Sequence, residues 1–476
     1  MAVILIRPMT PETSRSGLVS IEYPINIGYL ASYLKKYNVT VAVKDFEVEP
    51  FSESDFLEFV RKQNASLIGF SCMTPHIKHA AQLARLVKEH FPEIPTIIGG
   101  VHASAIPEQT LKEFPQFDIV VVGEGEQTLQ DLYQKWTHSG KLENIQGIAF
   151  REQSTIKVNP SRPFIENINS IPFPDRNLVD IKYYKKSHVA RGISRKVMNI
   201  SEIICSRGCP ANCIFCASKV IHSRKVRFRD PENVITEMKT LIREHNTSHF
   251  SFLDDNFTIN KEFLKPVCEY MKSQNVTFDC LSRVNFVDEE KIGIMVDSGC
   301  KKISFGVESG SHRILKLIKK GITIEQIERA FLISKKARLP IVEGTFLVGC
   351  HPDETMHDIE MTQKLIHKLK PDIMGISITI PFPGTEHNRI LKERGLLLNE
   401  NWEEFKVFFG NPMPSWELGN IPIKELQQIV KKMIYGYYIK PSYILSWLLK
   451  IRSINELKYF VSIGSSLIKA LSKHFK

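Results

Sequence analysis

Ile200-Ser201-Glu202-Ile203-Ile204-Cys205-Ser206-Arg207-Gly208-Cys209-Pro210-Ala211-Asn212-Cys213-Ile214-Phe215-Cys216 joins an apolar run to a loop, and it holds four of the chain's nine cysteines. The run Ile200–Cys205 reads as a buried strand. The loop spaces Cys209, Cys213 and Cys216 as C-x3-C-x2-C, so three thiolates fall on one short connection and can hold three irons of a cubane cluster. The fourth iron is then left without a protein ligand, and an open position is what catalysis needs. The rival reading is a structural zinc site with Cys205 as fourth ligand. Zinc knuckles prefer paired C-x2-C units, of which only one is present, and Cys205 ends an apolar strand, where a small buried thiol is common. A two-cluster ferredoxin would need a second cysteine set, which is missing.

Downstream of this loop the sequence alternates strand and helix. Strand candidates after Ile200–Cys205 are His249–Leu253, Thr277–Leu281, Lys302–Phe305, Ile341–Val348 and Ile373–Thr379. The helices between them carry start signals: Asp230 with Pro231 at the first turn, and Thr323-x-x-Gln326 as a capping box. Six such units predict a partial barrel over residues 198–385, with its chemistry at the carboxyl-terminal rim of the strands. Residues 386–476 lose the strand pattern. There Ile454, Leu457, Val461, Ile468, Leu471 and Phe475 form an apolar stripe at helical spacing, with Lys458, Lys469, Lys473 and Lys476 mostly off it. Such a helix packs on the barrel or meets lipid or a greasy substrate.

Upstream, residues 1–137 alternate in the same way. The runs Val3–Ile6, Val39–Val43, Leu67–Phe70, Thr96–Ile98 and Ile119–Val122 are separated by helix-periodic segments. Continuous buried strands between helices predict a parallel, doubly wound sheet. Its ligand would sit beyond the strands' carboxyl ends, which read Ser71-Cys72-Met73-Thr74, Gly99-Gly100-Val101-His102 and Gly123-Glu124-Gly125-Glu126. None is a G-x-G-x-x-G dinucleotide turn. Residues 138–197 break the alternation with a hairpin, Gly147–Arg151 and Thr155–Val158, and a Pro-rich strap through Pro172-Phe173-Pro174-Asp175.

The whole chain has 476 residues, 43% hydrophobic and 24% charged, as expected for two or three folded domains. Its 63 basic against 52 acidic residues give a charge of +11, which favours anionic partners. No dense Lys/Arg block or basic-aromatic motif points to nucleic acid. The cysteines are too sparse for a secreted disulfide framework, the amino terminus lacks a signal-peptide pattern, and no apolar run nears the ~20 residues of a membrane span. A reducing cytoplasm is the expected compartment.

The cysteine loop, with Phe215 before its last cysteine, resembles the signature of the radical S-adenosylmethionine (SAM) superfamily. That resemblance implies a [4Fe–4S] cluster on Cys209, Cys213 and Cys216, with SAM bound at the open iron. Further positions follow in register. Leu253-Asp254-Asp255-Asn256-Phe257 ends the second strand, where the family contacts the SAM amino group. Ser282-Arg283-Val284-Asn285 follows the third, where polar groups approach SAM. Phe305-Gly306-Val307-Glu308-Ser309-Gly310 ends the fourth, placing Glu308 near the ribose or methionine moiety. Thr345-Phe346-Leu347-Val348-Gly349 resembles the backbone patch facing adenine, and Pro381-Phe382-Pro383-Gly384-Thr385 closes the sixth strand. Together with the amino-terminal sheet, the chain is similar to the cobalamin-binding radical SAM proteins, a group containing methyltransferases, hopanoid methylases and the anaerobic magnesium-protoporphyrin ester cyclase. The implied fold is α/β: a flavodoxin-like cobalamin-binding domain, a partial (β/α)6 radical SAM barrel and a helical carboxyl-terminal region. Ser71, Gly99, Gly100, Val101, Gly123, Glu124, Gly125 and Glu126 would line the cobalamin. The D-x-H-x-x-G motif that supplies a histidine to cobalt in methionine-synthase-like proteins is absent, so neither His102 nor His76 is assigned to cobalt.

What the resemblance implies chemically is two uses of SAM, one to methylate cobalamin and one to yield a 5′-deoxyadenosyl radical that takes hydrogen from an unactivated substrate carbon. The cofactors carry the difficult chemistry while the protein positions them in a dry cavity. The leading expectation is a C-methyltransferase for a small-molecule or lipid-like substrate, supplied with electrons by a flavodoxin or ferredoxin. A cyclase or oxidative rearrangement enzyme would use the same domains. An RNA methylthiotransferase would carry three amino-terminal cysteines, and only Cys72 is there. The non-enzymatic rival is a metal-stabilised binding protein.

Overall fold

The computed structural model describes residues 2–10, 21–137, 141–180, 182–185, 189–190, 193–194, 199–397, 400–402, 405, 416–417, 419–448, 454, 457 and 461. The chain divides into two compact units: Met1–Thr13, Ile21–Ser187 and Ala217–Arg227 make up the first, and Ser14–Ser20, His188–Cys216 and Phe228–Lys476 the second.

In the first unit, β1 (Ala2–Arg7), β2 (Thr40–Asp45), β3 (Ala65–Ser71), β4 (Thr96–Gly99) and β5 (Ile119–Val121) pair in parallel in the order 2-1-3-4-5. That is the flavodoxin-like order, with its switch point between β1 and β3. Val3, Ile4, Leu5 and Ile6 are all buried because helices cover the sheet, which is why their run is apolar throughout. The predicted hairpin, β6 (Ile148–Glu152) and β7 (Thr155–Val158), extends this sheet: β6 pairs antiparallel with both β5 and β7. The Pro-rich strap lies on the same unit. Tyr23 Oη donates to the Asp175 carbonyl at 2.5 Å, and Lys35 pairs with the Asp175 carboxylate at 2.6 Å.

In the second unit, six strands pair in sequence order, every pair parallel: β8 (Ile200–Ile203), β9 (His249–Phe252), β10 (Thr277–Ser282), β11 (Cys300–Glu308), β12 (Ile341–Val348) and β13 (Ile373–Ile378). This is the run of a (β/α)6 partial barrel; among the described residues β8 and β13 do not pair with each other. Phe252 stacks on Phe257 with ring centroids 4.1 Å apart, and Phe278 meets both edge-on or tilted. The capping box at Thr323 and Gln326 is formed in full and opens the helix Ile324–Lys336. Pro231 occupies the first turn of the helix Pro231–His245, as its fixed φ favours.

Beyond the barrel the helices Ile423–Tyr438 and Pro441–Leu448 cover the edge strand β13. The Tyr438 hydroxyl bonds both the amide (3.0 Å) and the carbonyl (2.8 Å) of Met374, satisfying an otherwise unpaired strand edge. Of the expected carboxyl-terminal stripe, Ile454, Leu457 and Val461 are exposed; Ile468, Leu471 and Phe475 lie outside the described residues. No helix among the described residues is long and apolar enough to cross a membrane.

Candidate active site

The cysteine loop leaves β8 at the carboxyl-terminal rim of the second unit. Its start is fixed from below by Asp254, which accepts from the Cys205 amide at 3.0 Å and from the Ser206 hydroxyl at 2.5 Å. Asp254 is 2% exposed. Burial pushes its carboxyl up to about 6, against the pull of these bonds. Asp254, for which the resemblance implies a SAM contact, thus also ties the loop to the second strand. Cys205 is wholly buried, and burial beside Asp254 drives its thiol well above the ordinary range.

Cys209 and Cys216 are half-buried and Cys213 is buried. Two polar side chains aim N–H groups at this loop's sulfurs. Asn256 Nδ2 lies 3.2 Å from Cys209 Sγ, and an Arg283 terminal nitrogen 3.6 Å from Cys213 Sγ. Arg283 is anchored by the Asn285 side chain at 3.2 Å and by the Lys320 carbonyl. Ser282 is buried; its hydroxyl pairs with Thr258 at 2.5 Å and donates to the Arg283 carbonyl.

At the end of β11 the Glu308 carboxylate pairs with Lys320 Nζ at 2.6 Å, both side chains being under a tenth exposed. Glu308 has φ +69, a left-handed conformation that costs a non-glycine residue about 1–3 kcal/mol and collects at functional sites. Gly306 makes room for the pair. A Cβ there would stand 2.7 Å from the Glu308 carboxylate and 2.8 Å from Lys320 Nζ. The same Nζ lies 6.0 Å above the half-buried Phe215 ring, a cation–π contact with the cysteine loop. Phe215, Asn256, Arg283, Glu308 and Lys320 thus form one connected polar and aromatic frame around the loop. Asn256 stood unremarked within a quoted run, and Lys320 had no sequence signal beyond a Lys-Lys-Gly turn.

In the first unit the carboxyl ends of β3, β4 and β5 lie side by side. Ser71 sits opposite Gly99 in the register, and the Ser71 hydroxyl accepts from Asn26 at 2.6 Å. Gly100, at φ +94, packs so close to the preceding loop that a Cβ would stand 2.5 Å from the Cys72 carbonyl. Gly123 differs: its φ is +80, but no atom of the described residues lies within 4 Å of where its Cβ would be. Beside these ends Met73 is 55% exposed, and Val101 is half-buried at a helix start. The result is a shelf of bare backbone edged by an apolar side chain, which suits a broad, flat ligand.

Glu124 has a different setting. Its carboxylate receives a two-pronged Arg227 at 2.9 and 2.7 Å, the Ile165 amide at 3.0 Å and His222 at 3.2 Å. It is a buried tie for the strap and for the segment Ala217–Arg227. Glu126 is buried at the start of its helix, and Gly125 lies against Leu30. His102 is fully buried, 3.3 Å from the Thr74 hydroxyl, and burial lowers it to about 4, so it is a neutral core residue. His76 is likewise buried, 3.3 Å from Glu47 and 3.1 Å from Thr10.

Comparison with known proteins finds a family match in each of the two units. The B12 binding domain family matches residues 17–133, and the radical SAM superfamily matches residues 203–366. The chain is 30% identical over 447 residues to an uncharacterised methyltransferase of Pyrococcus horikoshii, covering 94% of each. It is 28% identical to the anaerobic magnesium-protoporphyrin IX monomethyl ester cyclase of Rubrivivax gelatinosus, over 76% of this chain and 64% of that one. Among solved structures, the radical SAM methyltransferase TsrM of Kitasatospora setae, with cobalamin and a [4Fe–4S] cluster bound, superimposes with a TM-score of 0.70 at 17% identity. That alignment covers 83% of this chain and 78% of TsrM and reports on the fold. Fold and site define an iron–sulfur enzyme of the radical SAM class. The chain belongs to the cobalamin-binding radical SAM family.

The family's cofactors are a [4Fe–4S] cluster, SAM and cobalamin, and the residues present fit them. Among the described residues no three His, Cys, Asp or Glu side chains converge on a single ion. A cubane takes each thiolate on a different iron, and three thiols on one short loop with buried N–H donors against two of the sulfurs suit it. At the carboxyl ends of the first sheet, Gly123, with no described atom within 4 Å of its Cβ position, and the exposed Met73 would leave room for cobalamin.

Proposed function

We propose that this protein is a radical SAM C-methyltransferase acting on an unactivated carbon of a small, apolar or lipid-like molecule. The observation that carries the reading is the cysteine loop: Cys209, Cys213 and Cys216 share one short connection after β8, and buried N–H donors from Asn256 and Arg283 lie against two of their sulfurs, while Cys205 is wholly buried at the strand end. Cys209, Cys213 and Cys216 would hold the cluster. Phe215, Ser282, Arg283 and Glu308 would bind SAM, and Ser71, Gly99, Gly100, Val101 and Gly123 would bind cobalamin. When bound, the cluster supplies one electron to SAM and cobalamin carries the methyl group. Asp254 holds the loop's entry, Lys320 orients the Glu308 carboxylate, and the bare backbone of the first sheet admits a large ring. The likeness to a chain-length methyltransferase relative favours methyl transfer over ring closure.

Among the described residues no second cysteine set is present, so the electron comes from a separate donor of the flavodoxin or ferredoxin kind, whose acidic surface suits a +11 chain. Peripheral membrane contact belongs to the same reading. Ile439, Ile444, Leu445 and Leu448 are exposed, and residues 439–476 hold seven Lys or Arg against one acid, Glu456.

The test needs no substrate. Anaerobically reconstituted protein, reduced and given methyl-labelled SAM, is expected to release 5′-deoxyadenosine and to pass label to added cobalamin. SAM cleavage with no label on cobalamin would favour the cyclase-type reading. A colourless, zinc-loaded protein inert to SAM would end the enzyme assignment.

A further inference from the structure

We infer that Asn256 and Arg283 set the reduction potential of the cluster by donating hydrogen bonds to its cysteine sulfurs. The inference rests on the three-cysteine reading and goes beyond it, since it assigns Arg283 to a sulfur of the cluster. Three observations carry it. Both side chains are buried, Asn256 at 4% and Arg283 at 7% exposure, so their N–H groups cannot turn to water. Each aims one donor at a different cysteine, Asn256 at Cys209 (3.2 Å) and Arg283 at Cys213 (3.6 Å), both within reach of a large sulfur. And each is held there. Arg283 makes hydrogen bonds to Asn285 and to the Lys320 carbonyl and lies 5.9 Å from the Phe286 ring, which fix the guanidinium fork with its remaining arm on Cys213. Asn256 Oδ1 is buried with no hydrogen-bond partner among the described residues. The amide is therefore oriented by its Nδ2–sulfur contact; rotated, it would set an oxygen against an acceptor-only thiolate.

A neutral thiol is a weak acceptor, whereas a metal-bound thiolate is a strong one. Two buried donors converging on such sulfurs stabilise the form with more negative charge, which is the reduced cluster. Hydrogen bonds to the sulfurs are among the groups that tune such clusters. In a water-poor site their effect is large, because the dielectric is low. Both are positioning residues, acting through Cys209 and Cys213.

The experiment is a redox titration of the reconstituted holoprotein without SAM, followed by electron paramagnetic resonance, on wild type, Asn256→Leu, Asn256→Asp and Arg283→Met. Asn256→Leu and Arg283→Met should each lower the midpoint potential by a tenfold change in the oxidised-to-reduced ratio, ~59 mV for one electron. Asn256→Asp, which puts a charged acceptor against Cys209, should lower it further. Arg283→Lys, retaining a cationic donor, should restore part of the loss. The Fe–S stretches in resonance Raman spectra should rise as the N–H···S bonds are lost. A cluster loaded to the wild-type iron content with an unmoved potential in both Asn256→Leu and Arg283→Met would overturn the inference. Wild-type protein that takes up no cluster would instead refute the underlying three-cysteine reading.

Discussion

Replacing Lys320 by Met tests the frame around the rim most directly. The Lys320–Glu308 pair is 2.6 Å long with side chains 6% and 8% exposed, so neither charge has water to fall back on. Removing one partner of such a pair leaves an uncompensated buried charge and costs about 3–5 kcal/mol. The carboxylate also sits on a backbone at φ +69 that tolerates its strain only while its contacts hold it. Against a typical total of about 5–15 kcal/mol, the loss should be plain in urea denaturation of the apoprotein followed by circular dichroism. The double variant Glu308→Gln/Lys320→Met removes both charges and should recover most of the loss. SAM affinity should fall at least about tenfold in Lys320→Met, as the Glu308 carboxylate is no longer oriented. A Lys320→Met protein within about 1 kcal/mol of wild type, or a double variant no better than Lys320→Met alone, would refute this account.

Alanine at Cys209, Cys213 or Cys216 should abolish iron loading and the visible charge-transfer bands, while Cys205→Ala should keep both. Gly100→Ala should cost about 3 kcal/mol, because φ +94 strains an L-residue and the added methyl would stand 2.5 Å from the Cys72 carbonyl. Gly123→Ala meets open space and should cost about half that, yet should still weaken cobalamin binding measured by spectral titration, since its methyl would project from the shelf. Burial raises the Asp358 carboxyl, but bonds from Arg313, Ser311 and Thr355 outweigh it and hold the group below its usual range. An acid lowered on folding stabilises the protein above its unfolded value of about 3.9, and that contribution drains away as pH falls through the folded value. Asp358→Asn should therefore be less stable than wild type by about 1–3 kcal/mol at neutral pH, with the two denaturation midpoints converging in acid.

The strand Val3–Ile6 was legible because burial on both faces leaves it an unbroken apolar run, whereas Ile341–Val348 is buried only at alternate residues and was legible from the strand–helix alternation around it. The cysteine loop was legible because ligand spacing is a property of the chain itself. Contacts made across long separations were not. Asp254 carries no mark that it would bond back to Cys205, 49 residues earlier. Glu124 stood in a glycine-rich turn that suggested a ligand, and nothing in the turn foretold Arg227, 103 residues on. Lys320 looked like any turn lysine until β11 brought Glu308 beneath it.

The route of the backbone after Cys216 bears on how this protein can be taken apart. Residues 217–227 count with the first unit, and from them Arg227 supplies the counter-charge to Glu124. A fragment cut near residue 187 would therefore keep a buried anion and lose its cation. Grafting the amino-terminal half onto another barrel would carry the same defect, so swapping catalytic halves between relatives should succeed only where the splice also transplants that eleven-residue excursion.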